Sequence, residues 1–150
     1  MIDVEAARRF FRLAPFMVEL GVEPVAVGAG RLTTALVIAE RHLQHTGQVH
    51  AGVSAAMADH TMGAAAQTLA PAGVWALTAE LKTSLLRAAK GERLVCEAWV
   101  IKSGRTLAFT EAEVYVEHDG ARTLVMKASA TMALAGHVAP AAQGAAPGAE

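Results

Sequence analysis

The sequence has almost no cysteine and no cluster of basic residues, and both shortages narrow what the protein can be. Only one of the 150 residues is a cysteine, Cys96, so no disulfide can form within the chain. A reducing compartment is therefore expected, and the cytoplasm is the simplest one. The formal net charge is −1. Nucleic-acid phosphates are bound by a basic patch, and no run of Lys and Arg supplies one. We therefore expect no nucleic-acid partner.

The sequence also has no strong candidate for a targeting or membrane segment. The N-terminal stretch MIDVEAARRFFRL carries early acids and no apolar core with a cleavage site, so we do not expect a secretory signal. The apolar run over residues 51–70 is interrupted by Asp59, His60 and Gln67, and alanine is a poor lipid anchor. We therefore predict a cytoplasmic protein with no membrane partner.

Apolar residues are abundant, at 53% of the chain, which indicates a folded globule. A length of 150 residues suits one domain with a single core. The last stretch, APAAQGAAPGAE, is of low complexity and has little to bury. We predict one domain over residues 1–138 and a flexible tail over residues 139–150.

Hydrophobic periodicity predicts a helix over residues 3–20 that Pro15 bends or splits, and a long helix over residues 51–69. Two short strands are predicted around the turn at residues 28–30. Four further segments alternate between apolar and polar residues and read as strands. The alternation predicts these shared faces: Leu32, Thr34, Leu36 and Ile38; Trp75, Leu77, Ala79, Leu81 and Thr83; Leu94, Cys96, Ala98 and Val100; Ala108, Thr110, Ala112, Val114 and Val116; Leu124, Met126, Ala128, Ala130, Met132 and Leu134.

Short polar loops separate the last four strands, so they form hairpins and the sheet is antiparallel. The long helix is apolar on nearly every side and can be covered only if the sheet curls around it. The sequence therefore predicts an α+β protein with the hotdog fold, in which an antiparallel sheet wraps around one long central helix.

Asp59 lies in the middle of that helix, where a carboxylate is costly to bury unless it is paired or used. Residues 47–53 (GQVHAGV), Asp59 and the small residues 63–65 resemble the phenylacetate-degradation-type (PaaI-like) hotdog acyl-CoA thioesterases. The motif of that family is Asn-x-x-Gly-x-(apolar)-His-Gly-Gly, followed by an Asp nine residues after the His. Later stretches, such as residues 81–117 and KASATMAL, are also similar, so the resemblance covers residues 16–134.

The resemblance implies an enzyme that cleaves an acyl-CoA thioester, with no metal or other cofactor. Asp59 would be the catalytic base or nucleophile. The backbone N–H of Ala51 or Gly52, the two residues that follow His50 of the motif, would hold the carbonyl oxygen. Gln44 stands where the family has its Asn, with His45 as the alternative. Some members orient water with a Ser or Thr of the next strand; that position aligns with Leu86, and the nearest hydroxyls are those of Thr83 and Ser84. Arg87 and Arg105 are candidates for the CoA phosphates.

The spacing of the candidate residues also bears on assembly. His50 and Asp59 are nine residues apart, which on one helix means ~13.5 Å of rise and opposite faces. If both serve one reacting atom, Asp59 of one subunit must meet the helix start of another. We therefore expect a homodimer or a homotetramer.

Other interpretations of the same residues remain open. Asp59 can be a paired structural carboxylate, and the protein can be a hotdog module that binds acyl-CoA without hydrolysing it. Such a module has no need for a carboxylate beside the thioester, which favours the enzyme. A hotdog hydratase or dehydratase would have a different His/Asp or His/Glu arrangement. The spacing of His42, His45, His50 and His60 matches no zinc pattern, so no metal site is predicted.

Overall fold

The computed structural model describes residues 3–136, which form three α-helices, one 3-10 turn and six β-strands. The helical elements are α1 (Val4–Arg12), α2 (Pro15–Leu20), the 3-10 turn Glu40–His42 and α3 (Ala51–Gln67). The strands are β1 (Glu23–Gly28), β2 (Arg31–Val37), β3 (Val74–Leu85), β4 (Arg93–Ser103), β5 (Leu107–His118) and β6 (Ala121–Gly136). The predicted tail, residues 139–150, and the last two residues of the predicted domain lie outside the described residues.

The N-terminal segment is divided as Pro15 predicts. The Asp3 carboxylate caps α1 by accepting the Ala6 N–H at 2.7 Å. Pro15 then occupies the first turn of α2, where its missing N–H costs no intrahelical bond. Gly21 ends α2 with a φ of 78°, a conformation that glycine adopts without strain.

All six strands pair antiparallel in one sheet, in the order β1-β2-β4-β5-β6-β3. Helix α3 packs against β2, β3, β4, β5 and β6. The predicted α+β architecture, with an antiparallel sheet around one long helix, is confirmed. The helix ends at Gln67, two residues before the predicted boundary at residue 69.

The core lies between α3 and the sheet. Met57, Ala58, Met62, Ala65 and Ala66 of the helix are fully buried, and the alanines let the sheet approach the helix backbone closely. The predicted inner face of β5 is confirmed. In β2 the predicted inner residues Leu32, Thr34 and Leu36 are buried, whereas Ile38 lies just past the end of the strand and is half-buried. In β4 the inner residues Leu94, Cys96 and Ala98 are buried as well. Burial raises the pKa of the Cys96 thiol to about 12, so this side chain packs as a small apolar group.

The predicted face of β3 is wrong, because a bulge interrupts the strand between Thr78 and Glu80. Thr78 pairs with the buried Met132, whereas beyond the bulge it is Leu81 and Thr83 that pair with the buried Ala130 and Ala128. Paired residues of neighbouring strands point to the same side of a sheet. Trp75, Leu77 and Ala79 therefore do not share a face with Leu81 and Thr83.

Strand β3 lies at the edge of the sheet, and most of its length is exposed. Within residues 3–136 its free side has no strand partner, and near its start the Gln67 side chain donates to the Val74 carbonyl at 2.7 Å and accepts the Ala76 N–H at 3.0 Å. Within the same residues, no helix combines the length and the apolar character needed to cross a bilayer.

Candidate active site

The start of α3 is held in place by the loop that precedes it. Leu43 and Val49 form an antiparallel bridge, and the Gln44 N–H donates to the Gln48 carbonyl at 2.8 Å. The Val49 N–H donates to the Ala89 carbonyl at 2.9 Å, which ties this hairpin loop to the segment after β3. The His50 N–H donates to the His42 carbonyl at 2.8 Å. The first residue of the helix therefore has a fixed position.

His50 is the N-cap of α3 and uses its ring for this role. Its Nδ1 accepts the Gly52 N–H at 2.9 Å. Ala51 is the first helical residue, and its N–H has no hydrogen-bond partner within residues 3–136. Of the two N–H groups predicted to hold a carbonyl oxygen, the one on Ala51 is free and the one on Gly52 is occupied.

A cavity of about 540 Å³ opens at this helix start. Its walls come from the hairpin loop, the first turn of α3 and the segment after β3: Gln44, His45, Gln48, Val49, His50, Ala51, Ser54, Leu85, Leu86, Arg87, Ala88, Ala89 and Val125. The side chain of Gln44 bonds to its own loop, because Oε1 accepts the Thr46 N–H at 2.7 Å and Nε2 donates to the Thr46 hydroxyl. Gln44, the predicted substitute for the family's Asn, thus lies at the site, but its side-chain amide is hydrogen-bonded within the loop.

The predicted substrate-binding residues are not gathered in one place. Arg87 lines the cavity at the helix start, and its Nη1 donates to the Leu124 carbonyl at 3.1 Å. Thr83 and Ser84 are exposed on β3, point to opposite sides of it and lie outside that cavity. Arg105 lies in the turn between β4 and β5. This turn bonds to Leu134 of β6, and Leu134 pairs with Ala76 near the start of β3. Arg87 follows the other end of β3, so ~36 Å of strand separates the two arginines.

Asp59 faces β3 from the middle of α3. Its Oδ1 accepts the Thr78 hydroxyl at 2.7 Å, and the carboxylate is half-buried. The two residues line a small cavity of about 80 Å³ together with Phe10, His60, Gly63, Ala64 and Ala76. A hydrogen-bonded carboxylate at the wall of a cavity can accept a proton from a water or attack a carbonyl carbon.

Thr78 is the residue that sequence reasoning missed. In the sequence, the position at which some family members orient water with a Ser or Thr aligns with Leu86. Leu86, however, lines the cavity at the start of α3, away from Asp59. The strand that follows α3 runs back along it, so a hydroxyl near the start of β3 faces the middle of the helix. The bulge after Thr78 concealed this, because uniform alternation assigns Thr78 to the face opposite Leu81.

His60 lies next to Asp59 in an aromatic cluster with Phe10, Phe11 and Trp75. Its ring stacks on Phe10 with centroids 5.7 Å apart and packs nearly perpendicular to Phe11 with centroids 4.5 Å apart. Its Nε2 is buried without a hydrogen-bond partner among the described residues. Burial lowers the pKa of His60 by disfavouring the charged ring, and the Asp59 carboxylate opposes this shift in part.

The lowered pKa of His60 makes the free energy of unfolding depend on pH to a measurable extent. Above its unfolded-state pKa of about 6.5 the ring is neutral in both states; below it, the unfolded chain takes up a proton that the folded chain does not. The free energy of unfolding therefore falls as the pH drops through about 6.5. The variant His60→Phe keeps the packing and removes the titration, so its melting temperature will fall less than that of the wild type between about pH 7.5 and about pH 5.5. If the melting temperatures of the two proteins fall equally over this pH range, the lowered pKa of His60 is contradicted.

The two halves of the predicted site are separated within one chain. The cavity at the helix start and the cavity at Asp59 have no lining residue in common. His50 and Asp59 stand apart by ~13.5 Å along the helix axis, as their spacing requires. One subunit alone thus does not bring Asp59 to the free N–H of Ala51.

His42 and His118 are engaged in separate places. The His42 ring contacts the Ala39 N–H at 2.9 Å and the Leu20 carbonyl at 2.8 Å, and it is fully buried. Within residues 3–136, one group of side chains has the spacing of metal ligands: Glu92, His118 and Asp119. All three are exposed, and both ring nitrogens of His118 already face carboxylates, at 3.0 and 3.4 Å.

Comparison with known proteins identifies the family. The model of the thioesterase superfamily matches residues 46–123, which is more than half of the chain and includes the end of the loop before α3, the whole of α3 and the whole of β3. The chain belongs to the thioesterase superfamily. The resemblance seen in the sequence is confirmed, and with it the hotdog fold that this family of thioester hydrolases shares.

Individual thioesterase-superfamily proteins agree with this assignment. A thioesterase family protein from Silicibacter pomeroyi is 31% identical, with a TM-score of 0.83 and coverage of 85% of this chain and 93% of that one. A phenylacetic acid degradation-related protein from Ralstonia eutropha, provisionally assigned as a thioesterase, is 28% identical, with a TM-score of 0.73 and coverage of 83% and 96%. A Caenorhabditis elegans protein, provisionally assigned as an esterase, is 36% identical over 101 residues, which are 66% of this chain and 59% of that protein. The matched part of the chain thus spans about 59% of the length of that relative.

Proposed function

We propose that the protein hydrolyses acyl-CoA thioesters to the free acid and CoA. The observation that carries this proposal is the Asp59 carboxylate, which is fixed by the Thr78 hydroxyl at 2.7 Å at the wall of a cavity. A purely structural aspartate would pair with a cation or cap a helix. Within residues 3–136, no ion pair of 4.0 Å or less involves Asp59.

Each active site would combine two subunits of a homodimer, or of a homotetramer built from such dimers. Asp59 and Thr78 come from one subunit, and the free Ala51 N–H comes from the start of α3 in the other. The separation of the two cavities within one chain and the exposed edge of β3 both support this arrangement. A twofold axis would then produce two equivalent sites.

The reaction follows from these groups. The thioester carbonyl oxygen accepts the Ala51 N–H, and the positive end of the α3 dipole stabilises the charge that develops on it. Asp59 removes a proton from water as the water oxygen bonds to the carbonyl carbon. The C–S bond then breaks, CoA leaves as the thiolate, and Asp59 gives its proton to this thiolate or to solvent. Alternatively, Asp59 attacks the carbon itself and displaces CoA as the thiolate, and water then hydrolyses the resulting anhydride to the free acid and the Asp59 carboxylate. Both routes give the same products.

The remaining candidates take supporting roles in this proposal. His50 caps the Gly52 N–H and so orients the helix start, and Gln44 holds the hairpin loop through Thr46. Arg87 stands at the rim of the larger cavity, where its charge suits a phosphate of CoA. Thr83, Ser84 and Arg105 can contact CoA only if a second subunit brings them to a site. No metal or other cofactor takes part, and we place the reaction in the cytoplasm.

The test is thiol release from a panel of acyl-CoAs, from acetyl to dodecanoyl and including phenylacetyl, measured with the purified oligomer. We expect turnover of at least one class of acyl-CoA at a rate far above the uncatalysed one. Equilibrium binding of the same compounds is the companion measurement. Tight binding of acyl-CoA without any thiol release would replace the hydrolase with a binding module.

Thr78 should act as a positioning residue for Asp59. The variant Thr78→Val keeps the shape of the side chain but removes the hydroxyl, so we expect kcat to fall about tenfold with little change in KM, because the misplaced carboxylate acts in the chemical step as base or nucleophile. Thr78→Ser keeps the hydroxyl and should retain most of the activity. An equal loss in both variants would show that packing at β3, rather than the hydrogen bond to Asp59, is what matters.

A further inference from the structure

A groove leads away from Asp59 along the next two turns of α3. The small cavity at Asp59, of about 80 Å³, shares Phe10 and Ala64 with a second cavity of about 200 Å³. Asp59, Gly63 and Gln67 line these cavities at intervals of four residues, so they lie on one face of the helix. The eight residues from Asp59 to Gln67 give the groove a length of ~12 Å.

The walls of the groove become more apolar with distance from Asp59. Beyond Phe10 they consist mainly of Ala6 and Ala7 of α1, Val27 of β1 and Leu32 of β2. The carboxylate therefore stands at one end, and the other end offers hydrocarbon contacts. An acyl-CoA has the same arrangement, with a polar carbonyl followed by an apolar chain.

Phe10 and Gly63 set the width of the narrow part. The Phe10 ring stacks on His60 at 5.7 Å and on Trp75 at 6.1 Å, so the aromatic cluster holds it in place. A Cβ added to Gly63 would meet no atom within 4 Å, which means that the glycine leaves open space in the groove.

We propose that this groove is the acyl subsite and that it selects unbranched acyl chains of medium length. The proposal rests on the proposed function, because it assumes that the thioester carbonyl lies at Asp59. The narrow part excludes a branch or an aromatic ring next to the carbonyl, and the wider apolar part accepts the distal methylenes. A length of ~12 Å suits a chain of medium length. Each methylene buried there raises the affinity about fourfold.

The test is calorimetric titration of non-hydrolysable S-alkyl-CoA thioethers, from ethyl to dodecyl, with the wild type and two variants. Gly63→Leu fills the narrow part with a good helix former, so the fold is retained. Phe10→Ala removes the wall that Gly63 faces. Melting temperatures measured in parallel check that both variants are folded.

In the wild type we expect the affinity to rise about fourfold per methylene and then to level off at a medium chain length. Gly63→Leu should abolish the rise with chain length, so that the octyl compound loses at least about a hundredfold in affinity relative to the wild type. Phe10→Ala should accept a benzyl thioether that the wild type binds weakly. An unchanged dependence on chain length in Gly63→Leu would overturn the acyl subsite, as would a wild type that binds all lengths equally or none.

Failure of this proposal can be told apart from failure of the proposed function. Thiol release from acyl-CoAs, with a chain-length profile that Gly63→Leu does not change, would reject the groove and keep the hydrolase. A length-dependent affinity that Gly63→Leu abolishes, without any thiol release, would keep the groove and reject the hydrolase.

Discussion

The variant Asp59→Asn will hydrolyse acyl-CoA at least about a hundredfold more slowly than the wild type, the usual scale for removal of a catalytic base or nucleophile. The amide has the shape of the carboxylate, and its oxygen can still accept the Thr78 hydroxyl that Asp59 accepts at 2.7 Å. It has neither the charge to attack a carbon nor the basicity to take a proton from water. The loss should therefore appear in kcat, with KM almost unchanged.

Two controls accompany this measurement. The melting temperature of Asp59→Asn should equal or exceed that of the wild type, because removing a half-buried charge costs no ion pair within the described residues. Glu97→Gln changes a carboxylate of β4 that pairs with Arg122 at 2.7 Å and lines none of the three cavities described, so it should keep full activity. Retention of more than about a tenth of the wild-type rate in Asp59→Asn would assign the carboxylate to structure.

Replacement of Ala51 by proline will lower kcat by about a hundredfold to a thousandfold, the scale measured when one oxyanion-hole donor is removed from an enzyme. Ala51 is the first helical residue, the position that proline tolerates best. The preceding residue, His50, already has a φ of −62° and a ψ of 135°, which lie in the region that a residue before proline prefers. The variant thus removes one N–H and leaves the backbone path unchanged.

The matched control for this variant is Ala51→Ser, which changes the side chain but keeps the N–H and should retain most of the activity. Gly52 is a poorer test position, because a Cβ there would lie 3.0 Å from His50 Nδ1 and would disturb the cap. If Ala51→Pro remains folded and fully active, the Ala51 N–H does not hold the carbonyl oxygen. The donor would then have to be the Gly52 N–H, released from His50 when substrate binds.

The sequence predicted the architecture because the fold follows from strong local patterns. Helix α3 consists mostly of residues that favour a helix and that fit beneath a sheet, and its end at Gln67 is close to the predicted one. Strand β5 alternates without a bulge over Ala108–Val116, and all five predicted inner residues are buried. Pro15 lacks a backbone N–H and so breaks the helical segment, whatever the tertiary contacts around it.

The details of the site depend on features without a clear local pattern. The bulge in β3 arises from pairing with β6, so the face of Thr78 could not be read from alternation. The hydrogen bonds of Gln44 to Thr46 depend on the shape of the hairpin loop rather than on residue type. The role of Phe10 as a wall of the groove requires α1 to pack beside α3, a contact between segments about fifty residues apart in the sequence.

The most direct test of the central claim, that each site joins Asp59 of one subunit to the helix start of another, is the activity of a mixed dimer. Asp59→Asn and Ala51→Pro chains carrying different affinity tags are co-expressed and purified through both tags. In such a dimer one site has both defects and the other has none, so we predict about half of the wild-type activity from two chains that are each nearly inactive alone. Activity no higher than that of the two separate variants would contradict the shared site.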